Sequence, residues 1–515
     1  ESGDNKLNPL TLSGRKINLQ IDAKFGLIVL TKDEKQLWRS AQEKTPVIVV
    51  SSEGKESRTL LPSEAGKVST ERYTEGKYQG YTVRLSDFEG TDVALEFVFA
   101  LDATVDELLI QAAQVAGRDI VESIKHLYRF EKPVSEGGYM VLPHGSGYLI
   151  PAECPDVLPG TGLQGGLIGA RWTLPMFGIV RDGGAMCIIV ESWWDCDVEA
   201  EHKPGEYSAF DFKWKASLGK LAYPRRLVVR FDEGMDYAAM AKLYRRYADK
   251  QGLVKTLEEK IAQMPKLQHY VDNILYRWIL WEKGDYSKVK ADINKGAPAD
   301  IRRLQEMGFS ITFFFPKWAK GNYWEAFLLE ENPVPGGWKS VAKLAEVVHQ
   351  LGCLVQCFIC PRSGPTYNSL DRLKRCLDNV EAKGLKMDAL YFDGNAAYVP
   401  LPDDSSSEHP VTLRQTYEIQ NACSIETRRR DIIPGAELAR FWCMADCDFF
   451  FFTDWSRDRL TNTPNELYGS PGPVGIPVPL YQLVFHDCYI AGFSGGGYAL
   501  YHAGNDWWYD ANPRL

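Results

Sequence analysis

The chain has 515 residues, more than one ordinary hydrophobic core organises, so two domains are expected, one of them a long barrel. Hydrophobic residues make up 45% and charged residues 25%, a globular composition, and no apolar run reaches the length that spans a bilayer. The net charge of −9, without strong clustering, argues against nucleic acid and anionic membranes as partners.

The first half reads as β-structure. KINLQIDAKFGLIVLTKDEKQLWRS alternates and turns as hairpins do, and TPVIVVSSEGKESRTLL, YTVRLSDFEGTDVALEFVFALDAT and GGLIGARWTLPMFGIVRDGGAMCIIVES continue the pattern. RDGG and SSEG are turn signals. Many short strands without long helices between them predict a β-sandwich over 1–232, interrupted by one helix in VDELLIQAAQVAGRDIVESIKHL. DYAAMAKLYRRYADKQGL and TLEEKIAQMPKLQHYVDNIL then carry helical spacing, which predicts a helical connector over 233–268.

From residue 269 strand and helix alternate. ILYRWILWE, SITFFFPKW, CLVQCFICP, MDALYFDG, DIIPGAEL and FFFFTDW read as six strands, with PVPLYQLVFHD as the seventh and no clear eighth. PADIRRLQEMGF, KSVAKLAEVVHQLG, SLDRLKRCLDNVEAKG and VTLRQTYEIQNACSIETRRR read as the helices between them. Repeated βα units predict a parallel sheet covered by helices, and their number predicts a (β/α)8 TIM-like barrel over 269–515. The basic run Arg428–Arg430 ends a helix, where cations suit the dipole. The eleven cysteines are scattered, unlike a disulfide scaffold. Cys353, Cys357 and Cys360 share one apolar run and read as buried strand thiols, since a zinc site favours turn-borne ligands with histidine help. Pairing of Cys443 and Cys447 is left open.

Barrel enzymes place their chemistry at the C-terminal ends of the strands. On this reading the second strand ends in Lys317 and Trp318, the third in Pro361 and Arg362, and the fourth in Asp393. The fifth ends in Glu437, the sixth in Asp454 and Trp455, and the seventh in His486 and Asp487. A single carboxylate after a strand is usually a cap or a turn residue. Six strands delivering polar groups to one rim favour a site. Asp393 and Glu437 stand one βα unit apart and so belong to adjacent strands, which lie about 4.8 Å apart. Glycosidases need two carboxyl groups about the scissile bond, about 5–5.5 Å apart when retaining and about 6.5–9.5 Å when inverting. Gly394, and the glycine before Ala436, fit close approach of a substrate. Trp281, Trp318, Trp324 and Trp455 offer flat faces to a sugar, and Trp507 and Trp508 either close a pocket or pack the barrel base.

YFDG on the fourth strand, GAE on the fifth and PVPLYQLVFHD resemble the retaining α-glycosidase barrels of glycoside hydrolase families 101 and 129, the α-N-acetylgalactosaminidases. The resemblance implies a β-sandwich before a (β/α) barrel, Asp393 as nucleophile and Glu437 as acid/base. It gives substrate-binding roles to His486 and Asp487, beside Lys317, Trp318, Asp454 and Trp455 at the rim. Families 31 and 36 are more distantly similar, and in their pattern Asp454 is the acid/base.

The expected function is retaining hydrolysis of α-linked galactose- or N-acetylgalactosamine-type sugars in an oligosaccharide or glycoconjugate. No cofactor is required. Calcium at Pro402-Asp403-Asp404 is not claimed, a solvated loop being the better reading. One competing reading is a carbohydrate-binding protein on a decayed barrel. A metal-dependent hydrolase ranks lower, because among eight histidines only His486 is read at a strand end. Polysaccharide work suggests a secreted or periplasmic location, although no signal peptide is present in the sequence.

Overall fold

The fold comes from a computed structural model that describes residues 8–40, 47–53, 56–129, 137–154, 165–166, 172–181, 184–204, 207–218, 221, 223–272, 274–278, 290–291, 296–315, 335–359, 366–392, 408–438, 440–452 and 475–491. The chain forms two compact units, one of residues 1–247 with 455–484, the other of 248–454 with 485–515.

The first unit is built from antiparallel sheets of four, ten and six strands. Alternation explains their two-sidedness: in Cys196–Lys203 every second residue is buried, from Cys196 through Val198 and Ala200 to His202. Phe177 of the ten-stranded sheet meets Phe210 and Phe212 of the six-stranded sheet at ring distances of 5.4 and 5.7 Å. The two inner faces therefore pack against each other, as in a sandwich.

The helix expected in residues 105–127 is not formed. Glu107–Ala116 is a strand inside the ten-stranded sheet, and Ile120–Arg129 is a strand of the six-stranded sheet. Glu, Leu, Gln and Ala favour helix locally, but Glu107–Ala112 pairs with strands on both sides, and tertiary pairing overrides propensity. Gly117, at φ +102°, makes the turn between the two strands.

The segment read as a connector over 233–268 holds helices Tyr237–Lys250 and Leu257–Gln263, and Gln268–Val271 follows. Thr256 caps the second of these, accepting from the Glu259 amide at 3.3 Å while the Glu259 carboxylate accepts from the Thr256 amide at 2.7 Å.

The second unit holds seven parallel strands in unbroken sequence order: Ile274–Trp278, Ser310–Phe315, Leu354–Ile359, Ala389–Phe392, Ile433–Leu438, Phe449–Phe452 and Ile490–Ala491. The order never reverses, so the sheet is singly wound, unlike a doubly wound nucleotide-binding sheet. Helices Gly296–Glu306, Gly337–Gln350, Ser369–Ala382 and Leu413–Arg429 connect successive strands. The first six strands fall where the apolar runs predict them.

The seventh does not. Within PVPLYQLVFHD, Leu480–Phe485 is a helix, and the strand is Ile490–Ala491. The buried positions Leu480, Tyr481, Val484 and Phe485 recur with helical spacing, and Pro479 stands directly before the first turn. A parallel sheet with covering helices is thus established. The closed eight-stranded barrel is not seen among the described residues, and positions 492–515 lie outside them.

Each face of the parallel sheet has its own core. Ile311, Phe313, Phe315, Val355, Cys357, Ile359, Leu390 and Phe392 pack on the helices. Phe314, Ala389, Tyr391, Ile433 and Phe449 form an inner cluster with Met264, Leu267 and Tyr270 from the connector. Cys357 is a buried strand thiol as expected, its ionisation pushed up by burial. Cys443 and Cys447 are buried free thiols, and Cys360 lies outside the described residues.

Candidate active site

The register of the parallel sheet sets which residues can meet at its C-terminal edge. Ala389 pairs with Ile433, Tyr391 with Gly435 and Phe392 with Ala436. Gly435 pairs in turn with Phe449, and Phe449 with Ile490. Paired residues in parallel strands point to the same face, so these layers fix which positions look inward. Ala389, Tyr391, Ile433 and Phe449 all lie in the inner cluster.

Aromatic rings fill the inner face. Tyr391 packs against Phe314 and Phe358 at 5.9 and 5.4 Å, and Tyr270 stacks on Phe449 at 5.0 Å. The Phe449 ring occupies the space where a Cβ on Gly435 would stand. Gly435 therefore serves this packing, which corrects its reading as a place of substrate approach.

The N-terminal edge is closed by polar anchors. Lys260 is fully buried and donates to the carbonyls of Met444, Cys447 and Cys488 at 2.6, 2.6 and 2.7 Å. It lies 3.8 Å from Asp448, which also receives Arg428. Burial lowers the Lys260 pKa and raises that of Asp448, each charge easing the other's desolvation. Tyr270 donates to Gln356 at 2.9 Å. Asp388, directly before the fourth strand, accepts from the Val355 amide at 2.8 Å and bonds His349 at 2.7 Å. Apart from Gln356, which lies within the third strand, these groups stand on the N-terminal side of the strands, where barrel residues serve stability. Sequence reading passed over them. A lysine in TLEEKIAQM looks like any exposed helix residue until the fold buries it.

Of the expected site residues, Glu437 lies on the fifth strand and its backbone is described. Asp393 directly follows the last residue of the fourth strand and lies outside the described residues, as do Lys317, Trp318, Asp454 and Trp455. Pro361, Arg362, Gly394, Pro402, Asp403, Asp404 and the tryptophans at 281, 324, 507 and 508 also lie outside them.

His486 and Asp487 are placed, and their placement is corrected. They follow the helix Leu480–Phe485 and precede the strand Ile490–Ala491, so they stand at the N-terminal end of that strand. The Asp487 carbonyl accepts from the Leu257 amide at 2.7 Å, and its carboxylate receives the Cys488 thiol at 3.3 Å. The argument that put them on a catalytic rim therefore does not reach them.

No protein-family model matches the chain, and no curated protein sequence matches it. Among solved structures it is similar to the α-N-acetylgalactosaminidase NagBb from Bifidobacterium bifidum. Against the GalNAc complex the TM-score is 0.76 at 21% identity, covering 93% of this chain and 83% of that one. Against the Gal-NHAc-DNJ complex it is 0.76 at 20% identity, with the same coverage of 93% and 83%. Against the ligand-free form it is 0.74 at 21% identity, covering 93% and 85%. The likeness is one of fold.

Proposed function

We propose that this chain is a retaining α-glycoside hydrolase acting on galactose- or N-acetylgalactosamine-type sugars, with Asp393 as nucleophile and Glu437 as acid/base. One observation carries the reading. Ala389 pairs with Ile433 and Tyr391 with Gly435, and the inner cluster contains Ala389, Tyr391 and Ile433. Two positions after Tyr391 and Gly435 in the sequence come Asp393 and Glu437. On this proposal the alternation of the two strands continues through these positions, so that both carboxyl groups face the inner cluster. Neighbouring strands about 4.8 Å apart suit the separation of about 5–5.5 Å that a retaining pair needs.

In this reading Asp393 attacks the anomeric carbon while Glu437 gives a proton to the leaving oxygen. Glu437 then takes a proton from water, which releases the sugar from Asp393 with net retention. Closure of the parallel sheet into a (β/α) barrel by the remaining chain belongs to the same proposal, with Lys317, Trp318 and Trp455 at its rim. The fold shared with a structure described as a GalNAc complex supports the sugar class.

The same alternation ranks the other candidate acid. On the same proposed alternation, the positions that share the face of Phe449 are the odd-numbered ones, which favours Glu437 over Asp454 as the acid/base of this reading.

A panel of p-nitrophenyl α- and β-glycosides tests the reading. Wild type is expected to hydrolyse an α-galactoside or α-N-acetylgalactosaminide, with the α-anomer as first product by NMR. Asp393→Asn is expected to lose roughly 10⁴-fold or more in kcat. A β-anomer as first product, or full activity in Asp393→Asn, refutes the mechanism. Death of Asp454→Asn beside an active Glu437→Gln moves the acid/base to the sixth strand.

A further inference from the structure

Tyr367 and His409 stack with ring centroids 4.5 Å apart and planes inclined by 33°. Tyr367 is 40% exposed, and it is the single aromatic among the exposed large hydrophobic residues of the described chain. An exposed ring that packs on a second ring is held in one orientation.

The place of this pair follows from the βα connections. Tyr367 lies in the short turn Thr366–Asn368 that leads into helix Ser369–Ala382, after the third strand. His409 precedes helix Leu413–Arg429, after the fourth strand. In a βα unit the helix runs back along its strand, so helix starts lie at the strands' C-terminal edge. The stacked rings therefore stand at the C-terminal edge of the third and fourth strands, the edge where the proposed function puts its carboxyl groups.

Both rings line a concavity of about 520 Å³, together with Val411, Glu408, Gln415 and Glu418. That size lies within the range of about 300–1,000 Å³ typical of small-molecule sites. Gln415 spends its carbonyl oxygen on the Thr412 amide at 2.9 Å, which leaves its NH₂ to donate. Glu408 is exposed, and its carboxylate accepts hydrogen bonds. A flat aromatic face beside a carboxylate and a carboxamide matches a pyranose, which has an apolar C–H face and a belt of hydroxyls.

We infer that the Tyr367–His409 pair is a second sugar platform, holding the ring on the leaving-group side of an extended α-glycoside. The inference rests on the glycosidase reading for its role in turnover, and on this geometry for sugar binding itself.

Two substrates separate the roles: α-N-acetylgalactosaminyl fluoride, whose leaving group has no ring, and the disaccharide α-N-acetylgalactosaminyl-(1→3)-galactose. Tyr367→Ala is expected to lower kcat/KM for the disaccharide about tenfold, a stacking loss of ordinary size, and to leave the fluoride within about twofold. Tyr367→Phe keeps the ring and is expected to keep the disaccharide rate. Equal losses on both substrates mean that the pair only pins its loops, and they overturn the inference.

Saturation-transfer NMR with the same disaccharide on Asp393→Asn, with and without Tyr367→Ala, needs no turnover. Loss of the galactose-ring signals in the double variant supports the platform, and unchanged signals overturn it. If wild type cleaves neither substrate while those signals still depend on Tyr367, the catalytic reading falls and the sugar platform stands.

Discussion

Asp388 and Gly435 show how single positions act in the sheet without touching the proposed chemistry. The Phe449 ring takes the space above Gly435, so the glycine is fixed by core packing beneath the site. Asp388 sits at the opposite edge. Burial pushes its carboxyl up, but His349 and the Val355 amide outweigh that and hold it below the ordinary carboxylate range. A folded pKa below the unfolded value, about 3.9, means that this stabilisation is present above that pH. It is lost as pH falls through the folded value. The stability gap between wild type and Asp388→Asn, from urea unfolding, is therefore expected to be full at neutral pH and to shrink below about pH 4. A gap that widens with acid would contradict this assignment.

At the scale of elements, the short helix Leu257–Gln263 does more than its length suggests. Its capping box fixes the start, and Lys260 reaches three carbonyls just before the sixth and seventh strands. Replacing Lys260 with Met leaves these buried acceptors unpaired and Asp448 with one cation fewer. Such a change is expected to cost about 3–5 kcal/mol in urea unfolding. A loss within about 0.5 kcal/mol, ordinary for a surface site, would show that Lys260 is not an anchor. The helix Leu480–Phe485 teaches the complementary lesson. Its apolar spacing and the preceding proline were readable as helix, but the expectation of a seventh strand favoured the extended reading.

At the scale of the whole molecule, the compact units do not follow the chain linearly. Ile476–Pro477, from beyond the sixth parallel strand, pairs with Tyr148–Pro151 at the edge of the ten-stranded sheet of the first unit. Gly147 receives this returning segment: its carbonyl accepts from the Val478 amide at 2.9 Å, and Leu480 covers the position of its missing Cβ. With φ at +128°, Gly147 adopts a conformation that L-residues rarely take. Gly147→Ala is expected to destabilise the protein by about 1–3 kcal/mol in urea unfolding. An unchanged midpoint would show that the return segment does not need this close approach.

The sequence alone determined the two rhythms of the chain, because alternation and helical spacing are local consequences of which face each residue must bury. It also placed six parallel strands, each an apolar run bounded by helical segments, and it singled out Asp393 and Glu437 as carboxylates one βα unit apart. Tertiary structure decided the rest. It turned 107–129 into two strands by pairing them on sheets, and it moved His486 and Asp487 to the N-terminal end of their strand. It buried Lys260, and it gave Gly435 to Phe449. Each of these outcomes depends on contacts between residues distant in the chain, which no local pattern encodes. Register is the clearest case: the sequence names the fourth and fifth strands, but only their pairing shows that Ala389 and Ile433 share a layer of the inner face.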